Sequence, residues 1–467
     1  MKSTCLVIGG GLSGLAAAIR LSRYCPEVLI LEQHSRLGGL NSYYYRHGRL
    51  LETGLHAVTN YTSPKDKKAP INKLLRQLGI RRGALEQAAG LCQQLKSQIR
   101  FPDAELFFSN NHELLMSQVG RVFPDSYGNF ARLADEIRGY NPFTAARFRS
   151  AKAVLLDRLK NPLLAEMLLC PLCFYGSSVE NDMDYNQFVI MFKSIFLEGM
   201  FRPGVSIKEF IQFFADIFKE NGGRILFKTK VVKIHTKGRR AVAAELENGE
   251  MIEADHIIST AGYEETLKLL GRPGPSGQGR RLGFLESIFL VPPGKAQENA
   301  MLPRDKTIIF YNNNSRFNYR RPDAEADFTS GVICFPQNFE NFAKQEHFEI
   351  RLTHLANYHK WQELYKNREL YNQHKREAAA VSARTAGKIV GDFSDDIVYQ
   401  DTFTPVTIER YTAKKEGAIY GSPAKFKDGD IGCENLFLAG TDQGFLGIIG
   451  SMLSGVSIAN QHLLPKI

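Results

Sequence analysis

The first forty residues leave this chain the least freedom. An apolar run ending in Leu6-Val7-Ile8 feeds Gly9-Gly10-Gly11-Leu12-Ser13-Gly14, a helix-patterned segment follows, and a second apolar run, Val28-Leu29-Ile30-Leu31, ends on Glu32. That order is a βαβ unit of about thirty residues with a Gly-x-Gly-x-x-Gly turn between its first strand and its helix. Gly9 permits the sharp turn, Gly11 lets backbone amides approach a pyrophosphate, and Gly14 lets the helix pack against the strand. Leu12 and Ser13 open the helix, where unpaired N–H groups and the positive end of the dipole face an anion. Glu32 stands where a carboxylate accepts hydrogen bonds from an adenosine ribose. An α/β fold that binds a dinucleotide follows from these residues.

The continuation Glu32-Gln33-His34-Ser35-Arg36-Leu37-Gly38-Gly39 resembles the Glu-x5-Gly-Gly element of FAD-dependent amine oxidases and phytoene desaturases. The resemblance implies FAD as cofactor, with Glu32 and Gln33 at the adenosine end. It also implies Arg36 on phosphate or neighbouring backbone, and Gly39-Leu40 close to the flavin. A second block lies far along the chain: Leu436-Phe437-Leu438-Ala439-Gly440-Thr441-Asp442, then Gly447-Ile448-Ile449-Gly450 opening a helix. By the same resemblance Gly440 and Asp442 meet the ribityl chain. The helix start at Ile449 points its positive end at the flavin pyrimidine, where charge gathers on reduction. Backbone near Val231-Val232 is implied to pair with the adenine.

Thr404-Pro405, Arg410-Tyr411 and Gly417-Ala418-Ile419-Tyr420-Gly421 narrow the resemblance to phytoene desaturases, carotenoid isomerases and retinol saturases. The chain departs from that pattern in its Asn/Tyr-rich stretch Tyr311 to Tyr319 and in Gly444-Phe445-Leu446. Both departures leave the substrate open, because relatives diverge in the substrate-binding part.

With 467 residues and 43% apolar content, two or three cores are expected. The expected organisation is a Rossmann-like FAD-binding domain assembled from 1–80, 205–270 and 426–467, a helical segment at 81–204, and an inserted α+β substrate domain at 271–425. Gly271-Arg272-Pro273-Gly274-Pro275 marks one boundary. Helices are predicted at Ile71 to Leu78, Phe130 to Ile137 and Ala146 to Leu159. The apolar stretch Phe188 to Phe201 reads either as a buried helix or as the lining of an apolar tunnel or membrane contact. Ser206 and Glu209 form a capping box before a helical stripe, and Asn248-Gly249 closes a hairpin. Strands are expected at Leu285 to Val291, Thr307 to Tyr311 and Ser330 to Phe335, and a polar amphipathic helix from Lys344 to Arg376.

A formal charge of +10 favours anionic surroundings. No nucleic-acid module appears, so the partners expected are an apolar small molecule and, as a second allowed one, an anionic membrane surface. Seven cysteines at irregular spacing fit a reducing cytoplasm, no signal peptide is expected, and Cys170-Pro171-Leu172-Cys173 reads as packing within a helical pattern. No metal-ligand spacing appears. A hairpin around His47-Gly48 leads to Glu52-Thr53-Gly54-Leu55-His56, which resembles the acid-x-Gly-x-His step that lies near the isoalloxazine ring in desaturase-like flavoproteins. His56 is therefore a candidate acid/base, against the alternative of a histidine satisfied by local backbone. The function expected is an FAD-dependent oxidoreductase, or redox isomerase, acting on a long apolar isoprenoid. Its alternatives are a flavin amine oxidase or protoporphyrinogen-oxidase-like enzyme, and a non-catalytic FAD-containing binding protein.

Overall fold

A computed structural model describes residues 2–54, 56–143, 147–274 and 281–467. Ala146 at the predicted helix start, Pro275 at the predicted boundary and Leu55 before His56 lie outside the described residues.

Two seven-stranded sheets organise the molecule. The first runs Arg224–Leu226, Val28–Leu31, Lys2–Ile8, Met251–Ser259, Arg240–Leu246, Val231–Lys237, with Leu436–Leu438 added beside Met251–Ser259. Its centre is parallel, and Val28–Leu31 is buried at every position, as strands covered on both faces require. The helix Leu12–Ser22 is buried except at Arg20 and packs against the helix Gly447–Ile458. A Cβ on Gly455 would lie 2.0 Å from the Ser13 carbonyl oxygen, so these two helices meet backbone to backbone.

The second sheet runs Tyr399–Phe403, Gly283–Val291, Phe348–Ala356, Ala326–Cys334, Ile308–Asn312, Ser97–Arg100, Glu105–Phe108. Its pairs are antiparallel except Ile308–Asn312 on Ser97–Arg100. Alternation along the strands divides two cores. Ile308 and Phe310 face a large aromatic core with the helices Pro162–Gly176 and Tyr185–Phe192, whereas Ile309 and Tyr311 face the helix Arg368–Val390.

The helix expected from Lys344 to Arg376 is instead a strand, Phe348–Ala356, followed by two helices. The side chain of Asn357 accepts from His359 and Lys360 N–H to start Tyr358–Tyr365, and Asn367 does the same for Arg368–Val390. These two caps fix the helix starts, and Phe348, Ile350 and Leu352 are completely or nearly buried in the sheet. Phe188 to Phe201 is likewise not one helix. Tyr185–Phe192 passes into a wide turn, Lys193–Leu197, and Gly199 at φ +99° leads into the strand Met200–Pro203. Phe188, Phe192 and Phe196 are buried within the aromatic core. The segment 81–204, expected to be helical, also contributes Ser97–Arg100 and Glu105–Phe108 to the second sheet. The Ser206/Glu209 capping box forms as expected, as do the hairpin Tyr43–Arg46 with Arg49–Glu52 and the helix Pro70–Leu78 ended by Gly79 at φ +75°. Cys170 and Cys173 are buried free thiols in the core. Among the described residues no helix is long and apolar enough to cross a membrane.

Candidate functional site

The glycine turn leaves no room for a side chain at Gly9 or Gly14. Gly9 sits at φ +101° with an ideal Cβ 2.5 Å from Thr260 Oγ1, and a Cβ on Gly14 would lie 2.1 Å from the Gly9 carbonyl oxygen. Gly11 bridges Gly38, and a Cβ on Gly39 would come within 3.2 Å of Gly11 Cα. Leu12 is buried under the turn. Ser13 Oγ is buried with no hydrogen-bond partner and lies 3.9 Å from the Cβ position of Gly440. A bare cradle with an unpaired hydroxyl thus joins the two motif blocks from opposite ends of the chain.

Glu32 is buried, and its carboxylate accepts from Gly10 N–H at 2.7 Å and His34 N–H at 2.8 Å. It therefore shapes the turn; Gln33 is half-buried beside it. Arg36 donates to the Tyr43 carbonyl at 2.7 Å and lies over the Tyr43 ring, the neighbouring-backbone role of the two expected. Leu40 is half-buried, and its carbonyl accepts from Thr53 Oγ1. Val232 falls in a break of register, since Val231 pairs with Leu246 and Lys233 with Glu245, which leaves Val232 unmatched on its strand and 39% exposed.

Asp442 accepts from Tyr263 N–H at 2.7 Å and Ser422 N–H at 2.6 Å while 3% exposed. A Cβ on Gly421 would meet its Oδ1 at 2.2 Å, which explains a glycine after Tyr420. Lys425 Nζ donates to the carbonyls of Tyr420 and Thr441, and burial pushes its ammonium down to about 8 against the opposing pull of Asp442. Ile449 is buried in the first turn of Gly447–Ile458, and a Cβ on Gly447 would lie 2.8 Å from Thr59 Oγ1. Thr59 donates to Asn60, whose Nδ2 donates to Glu198 at 2.7 Å. Burial raises the Glu198 carboxyl to about 7; the Asn60 bond opposes this, and Asp66 adds to it.

His56 is not satisfied locally. Its Nε2 lies 2.8 Å from Glu286 Oε1 on Gly283–Val291, the strand next to the edge of the second sheet. Thr353 donates to the other Glu286 oxygen, Arg351 Nη1 stands 3.9 Å from Oε1, and Cys334 Sγ donates to the His56 carbonyl at 3.8 Å. Around this polar knot stand Tyr175, with its ring centroid 6.5 Å from His56 and 5.3 Å from Phe310, and Tyr420, 6.0 Å from Phe284. Tyr175 OH is buried without a partner, and burial holds it well above the ordinary phenol range. Sequence reasoning missed Glu286, Thr353, Arg351 and Tyr175. Only Glu286, a lone acid inside the apolar run Leu285 to Val291, carried a visible signal. Among the described residues no group of three His, Cys, Asp or Glu side chains gathers for a metal ion.

A sheet with a parallel centre, a glycine cradle and a buried His56–Glu286 pair on the second sheet belong to the fold of a flavin-dependent oxidoreductase. The model of the flavin containing amine oxidoreductases matches residues 12–278, and the chain belongs to that family. FAD is its cofactor, and the unpaired Ser13 hydroxyl within the glycine cradle fits that group. The chain is 23% identical to all-trans-retinol 13,14-reductase of Danio rerio, over 98% of this chain and 86% of the relative. It is 22% identical to 4,4'-diaponeurosporene oxygenase of Staphylococcus aureus, over 100% and 98%. Similar solved structures include an oxidoreductase from Methanosarcina mazei, with a TM-score of 0.68 at 14% identity covering 98% of this chain and 100% of that one. A putative protoporphyrinogen oxidase from Exiguobacterium sp. 255-15 gives a TM-score of 0.60 at 14% identity, covering 98% of both chains. At these identities the structural matches speak to the fold.

Proposed function

We propose that this FAD-dependent oxidoreductase acts on a long apolar isoprenoid, which it desaturates, saturates or isomerises. The observation that carries the reading is the setting of His56 and Glu286: a buried polar pair at the edge of an aromatic core built from Phe174, Phe284, Phe310, Phe317 and Tyr319. The retinoid and carotenoid names of the full-length relatives support the same substrate class. FAD, when bound, supplies hydride transfer to or from carbon. The chain supplies the rest. Glu286, held by Thr353 and Arg351, orients the imidazole through Nε2 and leaves Nδ1 to take or give a proton. The surrounding aromatic side chains exclude water and offer a polyene mainly apolar surface, with the Tyr175 hydroxyl as a further buried polar group beside His56.

In this reading the cofactor is held by Gly9, Gly11, Leu12, Ser13, Gly14, Glu32, Gln33, Arg36, Gly39, Leu40, Val232, Gly440, Asp442 and Ile449, and His56 is the acid/base. The domain division proposed is the one expected above, with the first sheet as the FAD-binding domain and the second sheet, to which 81–204 adds Ser97–Arg100 and Glu105–Phe108, shared between the helical segment and the substrate domain. The proposed location is the cytoplasm, at an anionic membrane surface to which the +10 charge draws the chain. Flotation with anionic vesicles tests this, and binding should fall as salt rises. The substrate is tested by mixing anaerobic holoprotein with isoprenoids and with small amines while following flavin absorbance. Bleaching by a polyene supports the reading; rapid bleaching by amines alone moves the substrate to the amine-oxidase class.

A further inference from the structure

A cleft of about 1070 Å³ opens on the outer face of the helix Gly447–Ile458, where Leu453, Val456 and Ser457 line it, with Asn460 just beyond the helix end. Gly455, which meets the helix Leu12–Ser22, is on the opposite face of the same helix. The far wall comes from the helix Tyr185–Phe192 through Gln187 and Ile190, and the floor from Gly444-Phe445, the segment that departs from the family pattern. The cleft therefore belongs neither to the glycine cradle nor to the His56–Glu286 pair.

Three observations describe what would fill it. Lys68 and Lys73 line the cleft as exposed cations, and Lys425 and Lys427 reach it while their ammonium groups donate to the carbonyls of Tyr420, Thr441 and Pro142; among the described residues the one acid in the lining is Asp184, which already accepts from Arg149 and Asn186 N–H. Gln187, 6% exposed, has its Nε2 buried and unpaired, 3.7 Å from the Cβ position of Gly444, so the missing side chain leaves this donor uncovered from the floor. Apolar surface runs between the cations: Ile190, Leu453 and Phe445, the last stacked on Phe143 at 5.3 Å. A purely apolar ligand would leave the Gln187 amide unpaired and gain nothing from the lysines, whereas a small inorganic anion would leave the apolar walls wet.

We propose that this cleft binds a single anionic amphiphile, an apolar chain ending in a phosphate or carboxylate, with the head toward the lysines and the Gln187 amide and the chain along Ile190, Leu453 and Phe445. The volume is at the upper end of the roughly 300–1,000 Å³ of small-molecule pockets, enough for a long chain and its head. Calorimetric titration of the holoprotein with dodecyl phosphate, dodecanoate, dodecanol and inorganic phosphate, below micelle concentrations, tests it. At least one of the two charged amphiphiles should bind, the tighter one identifying the head, with dodecanol at least about tenfold weaker and inorganic phosphate weaker still. Changing the exposed pair Lys68→Gln and Lys73→Gln together should weaken the charged amphiphile about tenfold while FAD content and melting temperature stay unchanged. Leu453→Asp should weaken it by a similar factor through its chain. Equal affinity for dodecanol, equal affinity for inorganic phosphate, absence of binding by both charged amphiphiles, or indifference to both substitutions would overturn the proposal. Because binding is read without turnover, these outcomes stand apart from whether an isoprenoid bleaches the flavin.

Discussion

The two sheets are of equal size and were unequally hard to read. The first is assembled around a turn whose chemistry is written in consecutive residues: each glycine from Gly9 to Gly14 answers a contact within the same loop or one strand away. The second has no such signature. Its decisive contact, His56 with Glu286, joins residues 230 positions apart, and each partner looks ordinary in its own neighbourhood. A cofactor site demands backbone geometry, which local sequence records; a substrate site demands side chains converging from many elements, which it does not.

That contrast predicts separable defects. The largest should follow Gly455→Leu, because a side chain there strikes the Ser13 carbonyl and Ala17 N. Overpacking against backbone should cost about 3 kcal/mol or more, and the variant should purify without yellow colour or not at all. His56→Ala should do the opposite, keeping FAD while slowing turnover by about 10²–10⁴-fold. Glu286→Gln should follow His56→Ala in direction. Flavin content measured beside rate tells the two regions apart, and loss of FAD in the His56 variant would break the comparison.

Glu198 sharpens it through pH. Its folded carboxyl is raised from an ordinary 4.5 to about 7, so the unfolded chain releases this proton first. The stability that the protonated group contributes is complete below pH 4.5 and is lost as pH rises through about 7. Glu198→Gln should therefore gain up to about 3 kcal/mol over the natural chain at pH 8 and nothing below pH 4.5, in denaturant titrations at several pH values. The smallest effect expected is at the adenosine end. Glu32→Ala removes the acceptor for Gly10 and His34 N–H and should weaken FAD by about ten- to a hundredfold, with turnover at saturating FAD little changed.

Much of the fold was legible where periodicity and caps agreed, as at Ser206 with Glu209 or the run Leu285 to Val291. It failed where two patterns abutted. Tyr358, Trp361 and Leu364 have true helical spacing, and extending it backwards absorbed Phe348–Ala356, whose alternation is plain only once a neighbouring strand is known. Of the candidate site, the glycines, Glu32 and Asp442 were visible as residues, but their partners were not. Nothing in the sequence shows that Asp442 is held by the backbone of Tyr263 and Ser422, or that Tyr175 stands beside His56. Such contacts belong to packing among distant elements, which no single stretch encodes.

The contact between Gly455 and Ser13 also bears on how the protein comes into being. A ribosome that has made the βαβ unit has made a nucleotide fold whose first helix lacks the partner that covers it. The helices Pro70–Leu78 and Ile207–Glu220 can cover part of that helix earlier, but the close seam at Ser13 and Ala17 forms only once residues 447–458 are made. Closing of the glycine cradle against Gly440 is then tied to synthesis of that distant segment, and products terminated before it expose an incompletely covered, small-residue helix face.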